Sequence, residues 1–276
     1  MISMNNTLLI VTGASRGLGR AIGVAFASSP STKHLCCLLV ARSESGLEET
    51  ASLMREAAAA AAAANYSKLD ISCMVADLSD MDTLEKKVED MFQRVTKPGS
   101  SMYDRAILIN NAGSLGYLGK CSEISSLTNL KKAIDFNVTS SSWISSQFVR
   151  KFSTSQNGKD TSVVVVNISS LCAIEAFSTM SVYCAGKAAR DLFHSVLAKE
   201  ASADVRVLNY APGMCETAMS EELAESDRLD SELSSMYRIA LSDKTMVQPK
   251  DTAEKLVGIV NRNEWENGQH IDFWDE

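Results

Sequence analysis

Leu8 to Arg20 reads L-L-I-V-T-G-A-S-R-G-L-G-R. An apolar run passes straight into Gly13, Gly17 and Gly19, spaced G-x-x-x-G-x-G, and a helical pattern opens at Arg20. A short apolar run ahead of a turn reads as a buried strand. Glycines at such a junction let the backbone turn tightly and approach a pyrophosphate. The helix that follows offers free N–H groups and the positive end of its dipole. A glycine triplet alone is equally a plain strand–helix turn. Its place directly after the first strand and at the head of a helix is the context that marks a dinucleotide loop. The expected cradle is Gly13, Ala14, Ser15, Arg16, Gly17, Leu18 and Gly19.

Further strands are expected at 35–40, 71–76, 106–110, 162–168, 205–210 and 270–273, besides 8–12. Most are apolar at consecutive positions, as strands covered on both faces are. Helix-length amphipathic stretches lie between them, among them 78–95, 130–152 and 182–201. Strand–helix alternation predicts an α/β fold: a doubly wound, Rossmann-type parallel sheet of seven strands with helices on both faces. The whole chain, 1–276, reads as one domain. Eight alanines, Ala57 to Ala64, extend the helix after the second strand. Residues 153–160 form a polar loop. Residues from about 214 to 243 are rich in Glu, Ser and Met, helical in pattern and without a strand. An insertion there sits above the strand C-termini and is expected to act as a substrate lid.

The second strand indicates which dinucleotide. NAD-binding folds usually end that strand with an acid for the ribose 2′-hydroxyl. Here it ends V-A-R-S, Val40 to Ser43. Arg42 and Ser43, helped by Arg16, suit a 2′-phosphate, which predicts NADP(H). Otherwise Arg42 is a solvated arginine at a strand end. Asp77 and Leu78 follow the third strand; Asp77 accepts from an adenine amino group, caps the next helix, or does both. After the fourth strand, N-N-A-G places the small Asn111, Ala112 and Gly113 segment where a cofactor ribose would approach.

The 45% hydrophobic and 22% charged content is ordinary for a soluble globular protein. A formal charge of −7 with no basic stripe argues against nucleic acid. No stretch approaches the roughly 20 apolar residues of a membrane span, and the N-terminus carries no secretory leader. Seven cysteines without a C-x-x-C pair predict reduced, buried thiols in a cytoplasmic protein. Three dispersed histidines predict no metal site.

Y-C-A-G-K-A-A-R-D, Tyr183 to Asp191, carries a tyrosine and a lysine one helical turn apart. Taken alone, the pair also describes an exposed helix. A free phenol titrates near 10, and a neighbouring ammonium is expected to draw it down toward useful proton transfer. Ser170 ends the fifth strand region thirteen residues earlier, placed to polarise a carbonyl beside the phenol. Asn137, in D-F-N-V-T, either holds a water behind Lys187 or is a polar residue inside a helix.

T-G-x-x-x-G-x-G, N-N-A-G, the serine and Y-x-x-x-K, in this order, resemble the short-chain dehydrogenase/reductase family over essentially the whole chain. The resemblance implies hydride transfer from a nicotinamide to a carbonyl carbon, with Tyr183 as acid. It implies that Lys187 also holds the nicotinamide ribose, and that two copies pair through helices near 130–152 and 182–201. Longer stretches, among them V-V-N-I-S-S-L-C-A, V-R-V-L-N-Y-A-P-G and the C-terminal G-x-H-I-D-F, resemble a branch of that family. That branch uses NADPH on side-chain ketones of pterins, in the last steps of tetrahydrobiopterin synthesis. It implies that Asp272 anchors the guanidine-like edge of the substrate, with Gly213 and the backbone of Leu171 beside it. Cys215, Glu216, Thr217, Ala218, Met219 and Ser220 match a stretch over the nicotinamide and pyrophosphate. Other carbonyls, such as small diketones or quinones, are the alternative substrates. The presence of Ser170, Tyr183 and Lys187 together argues against a catalytically silent dinucleotide sensor.

Overall fold

A computed structural model of the chain describes residues 4–29, 32–61, 68–96, 103–153 and 161–275. Seven strands form one parallel sheet: β1 Met4–Thr12, β2 Thr32–Ala41, β3 Lys68–Val75, β4 Arg105–Asn110, β5 Ser162–Ile168, β6 Val205–Ala211 and β7 His270–Asp272. Their spatial order is β3-β2-β1-β4-β5-β6-β7. The expected doubly wound sheet is therefore present, with strands reaching a few residues beyond several of the apolar runs.

The helices are α1 Gly17–Ala27, α2 Glu44–Ala61, α3 Leu84–Val95, α4 Leu127–Ile134, α5 Ser140–Phe152, α6 Ser181–Glu200, α7 Ala218–Glu225, α8 Ser231–Ser242 and α9 Pro249–Arg262. Side chains alternate across each strand, so every central strand feeds two cores. Leu9, Val11, Ile107, Ile109, Val164 and Leu208 pack under Ile22, Phe26, Leu47, Met54, Leu256 and Val260 from α1, α2 and α9. Leu8, Ile10, Leu108, Val163, Val165 and Val207 face Val88, Met91, Phe92, Ile144 and Phe148 on the other side. All six residues of β4 are buried. This explains why the strands are apolar at successive positions.

Three expected helices differ in detail. The stretch 78–95 becomes helical only at Leu84. Asp77 Oδ1 instead accepts from Ser79 N–H and Ser79 Oγ at 2.9 and 2.7 Å, and Thr83 holds the N-cap position. That local turn competes with helix, as short acidic side chains do. Asp77 is thus not the cap of α3. The stretch 130–152 is α4 and α5 joined through one widened turn, Asp135–Thr139. In the alanine run, α2 continues to Ala61, and residues 62–64 lie outside the described residues. Of the polar loop, 154–160 lie outside as well.

The segment after β6 holds α7 and α8 and is closed at its base. Cys215 pairs with Val247, Glu216 N–H donates to Val247 O, and Val247 N–H donates to Met214 O, both at 2.9 Å. A third small core joins this arm to the sheet: Leu115, Leu118, Cys172, Met180, Leu223 and Leu229, with Tyr183, Met219 and Tyr237 packed against it. All seven cysteines are free. Only Cys37 and Cys172 are buried and Cys121 is exposed, so the expectation of generally buried thiols is corrected. No helix among the described residues is long and apolar enough to cross a membrane.

Candidate active site

Strand order reverses between β1 and β4, and in open parallel sheets the crevice outside the strand C-termini at that point receives ligands. A cleft of about 1700 Å³ lies there. It brings together every sequence-predicted site residue except two. Ala14 is fully buried: its N–H donates to Val40 O at 3.2 Å and its carbonyl accepts from Thr50 Oγ1 at 2.9 Å. Asn137 is buried behind the wall. Its Oδ1 accepts from Ser114 N–H at 2.8 Å and its Nδ2 donates to Ser114 O at 3.0 Å. Both ends of that amide clamp the loop after β4, so Asn137 fixes the wall beside the site.

The glycine loop is built by close approach. Gly13 adopts φ +67, where a side chain is strained. A Cβ at Gly19 would strike the Gly13 carbonyl and come within 2.7 Å of Asn111 Nδ2. Asn111 ties the loop down, donating from Nδ2 to Thr12 O and Gly13 O at 3.0 and 3.2 Å. Thr12 Oγ1 accepts from the N–H groups of Asn111 and Ala112, both at 3.0 Å. Arg16, at the N-cap of α1, makes no side-chain cap bond, which leaves the first N–H groups of α1 without a side-chain partner there. Arg20, also on the cleft, is committed elsewhere: Glu49 takes both of its terminal nitrogens at 2.6 and 2.7 Å.

Arg42 and Ser43 follow β2 and are exposed at the cleft. Ser43 Oγ accepts from Gly46 N–H at 3.2 Å, at the head of α2. Partial burial pushes the Asp77 carboxyl up, but the Ser79 hydroxyl and N–H and the charges of Arg42 and Lys87 hold it below the usual carboxylate range.

Tyr183 and Lys187 share one face of α6, with Lys187 Nζ 5.6 Å from the centre of the phenol ring. Lys187 is buried and donates to Ile168 O at 2.6 Å. Burial, with the Arg190 charge, lowers its pKa to about 7. Burial also pushes the Tyr183 phenol well above its ordinary value, and nearby Cys172 and Tyr237 add to this. Arg190 and the Ser170 hydroxyl pull the other way without offsetting it. The expected acidification by the lysine is therefore corrected. Burial lowers the pKa of the amine itself, so it carries less positive charge beside the phenol near neutral pH. The phenol is held protonated, the form that gives a proton away.

Residues 7–228 match the family described as short chain dehydrogenase. The chain belongs to that family. It is 36% identical to sepiapterin reductase of Rattus norvegicus over 96% of this chain and 95% of the relative. It is 26% identical to benzil reductase ((S)-benzoin forming) of Bacillus subtilis (strain 168), over 96% and 98%. The crystal structure of the KRED1-Pglu enzyme superposes with a TM-score of 0.74 at 21% identity, over 96% of this chain and all of that one. Membership of the short-chain dehydrogenase family makes the chain an oxidoreductase.

Two features of this dehydrogenase fold escape sequence reasoning. Tyr237 reaches the cleft from α8, with no local pattern to signal it. His270 was detectable, since it alternates with Asp272 on β7 and so shares its face. Its Nδ1 meets Asp191 Oδ2 at 2.6 Å, and that bond, against partial burial, raises its pKa.

Proposed function

We propose that the chain reduces side-chain ketones of pterins with NADP(H), as a sepiapterin reductase. The observation that carries this reading is Asp272. Its carboxylate lies in the same cleft as Tyr183 and Lys187. Oδ1 accepts from Trp274 N–H at 3.0 Å, while Oδ2 takes no hydrogen bond among the described residues. A carboxylate left open in this way suits the planar N–H edge of a pterin. Loss of the yellow colour of sepiapterin in the presence of NADPH tests the reading. Asp272→Ala is expected to raise KM for sepiapterin by about tenfold or more and to leave a small diketone such as diacetyl nearly unaffected. An equal loss for both would remove the pterin assignment.

The site fits a dinucleotide. Gly13 and Gly19 are each packed too closely for a Cβ, and they line the cleft together with the head of α1. The residues directly after β2 are Arg42 and Ser43 rather than an acid, and Arg42 and Arg16 are exposed on the cleft, which supports NADP(H). Arg42→Glu should raise KM for NADPH relative to NADH by about tenfold or more; an unchanged ratio removes the NADP(H) preference. When bound, the nicotinamide supplies the hydride. Tyr183 gives its proton to the carbonyl oxygen, Ser170 donates to the same oxygen, and Lys187 steadies the adjoining ribose. Glycine positions 113 and 213, with Leu171, keep the walls narrow, and the arm holding α7 and α8 acts as a lid that excludes water.

Small diketones form a second reading, favoured by the exposed apolar Leu171, Ile174 and Met236 around the cleft and by the benzil reductase relative. Leu192 and Val196 stand exposed one turn apart on α6, which supports pairing of two copies through that helix. Seven free thiols support a cytoplasmic setting.

A further inference from the structure

Arg190 is fully buried, seven residues after Tyr183 and three after Lys187, on the same face of α6. Nε donates to Asn167 Oδ1 at 2.7 Å on β5, Nη1 to Ala112 O at 3.1 Å, and Nη2 to Asn110 O at the end of β4. One side chain therefore binds the helix of the reactive pair to two strand ends and to the loop that Asn111 ties to the glycine cradle. The acceptors are all neutral. Asp191, next along the helix, gives its carboxylate to Asn167 Nδ2 at 2.9 Å and to His270 of β7. His194 of α6, Cys172 beyond β5 and Tyr237 of α8 complete the titratable surroundings of Arg190 and its two neighbours. A buried cation with no carboxylate of its own is costly where an apolar side chain would pack. Packing alone does not call for it.

We propose that Arg190 is a positioning residue for the Tyr183–Lys187 pair, pinning their helix to the ends of β4 and β5 and keeping a permanent positive charge beneath them. The direction of its field agrees: after burial, Arg190 is the next cause that lowers Lys187.

The test is the pH profile of kcat/KM for reduction with NADPH and sepiapterin, or diacetyl if sepiapterin is not turned over. Activity should fall as pH rises and Lys187 gives up its proton. In Arg190→Gln the cation is gone, Lys187 keeps its proton to higher pH, and that limb should move upward by about one unit. Arg190→Lys keeps the charge without the forked anchoring. Its limb should stay in place while kcat falls about tenfold. An unmoved limb in Arg190→Gln overturns the proposal. If that variant does not fold, Arg190→Lys decides alone, and a wild-type kcat or a displaced limb overturns it. The inference rests on Tyr183 being the proton donor. An active Tyr183→Phe would sink that reading itself, whereas an unmoved limb beside an inactive Tyr183→Phe removes only the role of Arg190.

Discussion

Tyr183→Phe is expected to lower turnover by at least about a hundredfold, up to ten-thousandfold, with NADPH binding nearly unchanged. A hundredfold corresponds to about 2.7 kcal/mol of barrier. The ring keeps its place in the small core with Leu223 and Cys172; among the described residues the hydroxyl donates only to Met219 Sδ, at a loose 3.9 Å, and the Ser170 hydroxyl lies beside it. The substitution therefore removes a proton and little else, and the fold should hold. Single-turnover reduction, followed at the nicotinamide absorbance beside a thermal melt, separates the two effects. A variant that melts like the parent and still reduces its ketone at the parental rate would end the assignment of Tyr183 as acid.

Gly19→Ala carries the second large effect. Backbone, not a flexible side-chain end, stands where the new methyl must go, so the β1–α1 junction has to move. Overpacking of that kind costs about 1–3 kcal/mol, or roughly 2–5 °C of melting temperature in a chain of this size. The same movement would spoil the N–H cradle and weaken NADPH binding about a hundredfold or more. Calorimetry and a fluorescence titration with NADPH read the two losses. Parental values in both would show that the glycine is not needed for close approach.

Much of the fold is legible because a central parallel strand has no polar face: β4 and β5 announce themselves as unbroken apolar runs. The sheet edges are less so. β3 is buried at only one of eight positions, and its register comes from pairing with β2. The late start of α3 is hidden because Asp77 and Asp80 satisfy local turns that periodicity does not see. The widened turn at Asp135–Thr139 shifts phase by one residue, too little to read through a polar helix. At the site, spacing finds the glycines, Tyr183 and Lys187, because each chemical need fixes a local pattern. It misses Arg190, whose partners lie 23, 78 and 80 positions away in the chain. It also misses the rise of the Tyr183 phenol, which comes from burial in a small core to which Met219 and Tyr237 are brought from far along the chain.

That remote contribution ties the arm to the acid. The arm is joined at its root by the Cys215–Val247 pair and brings Met219 and Tyr237 to the small core that holds the phenol. A substitution on the arm is therefore felt at the proton donor, although Met219 stands 36 positions further along the chain.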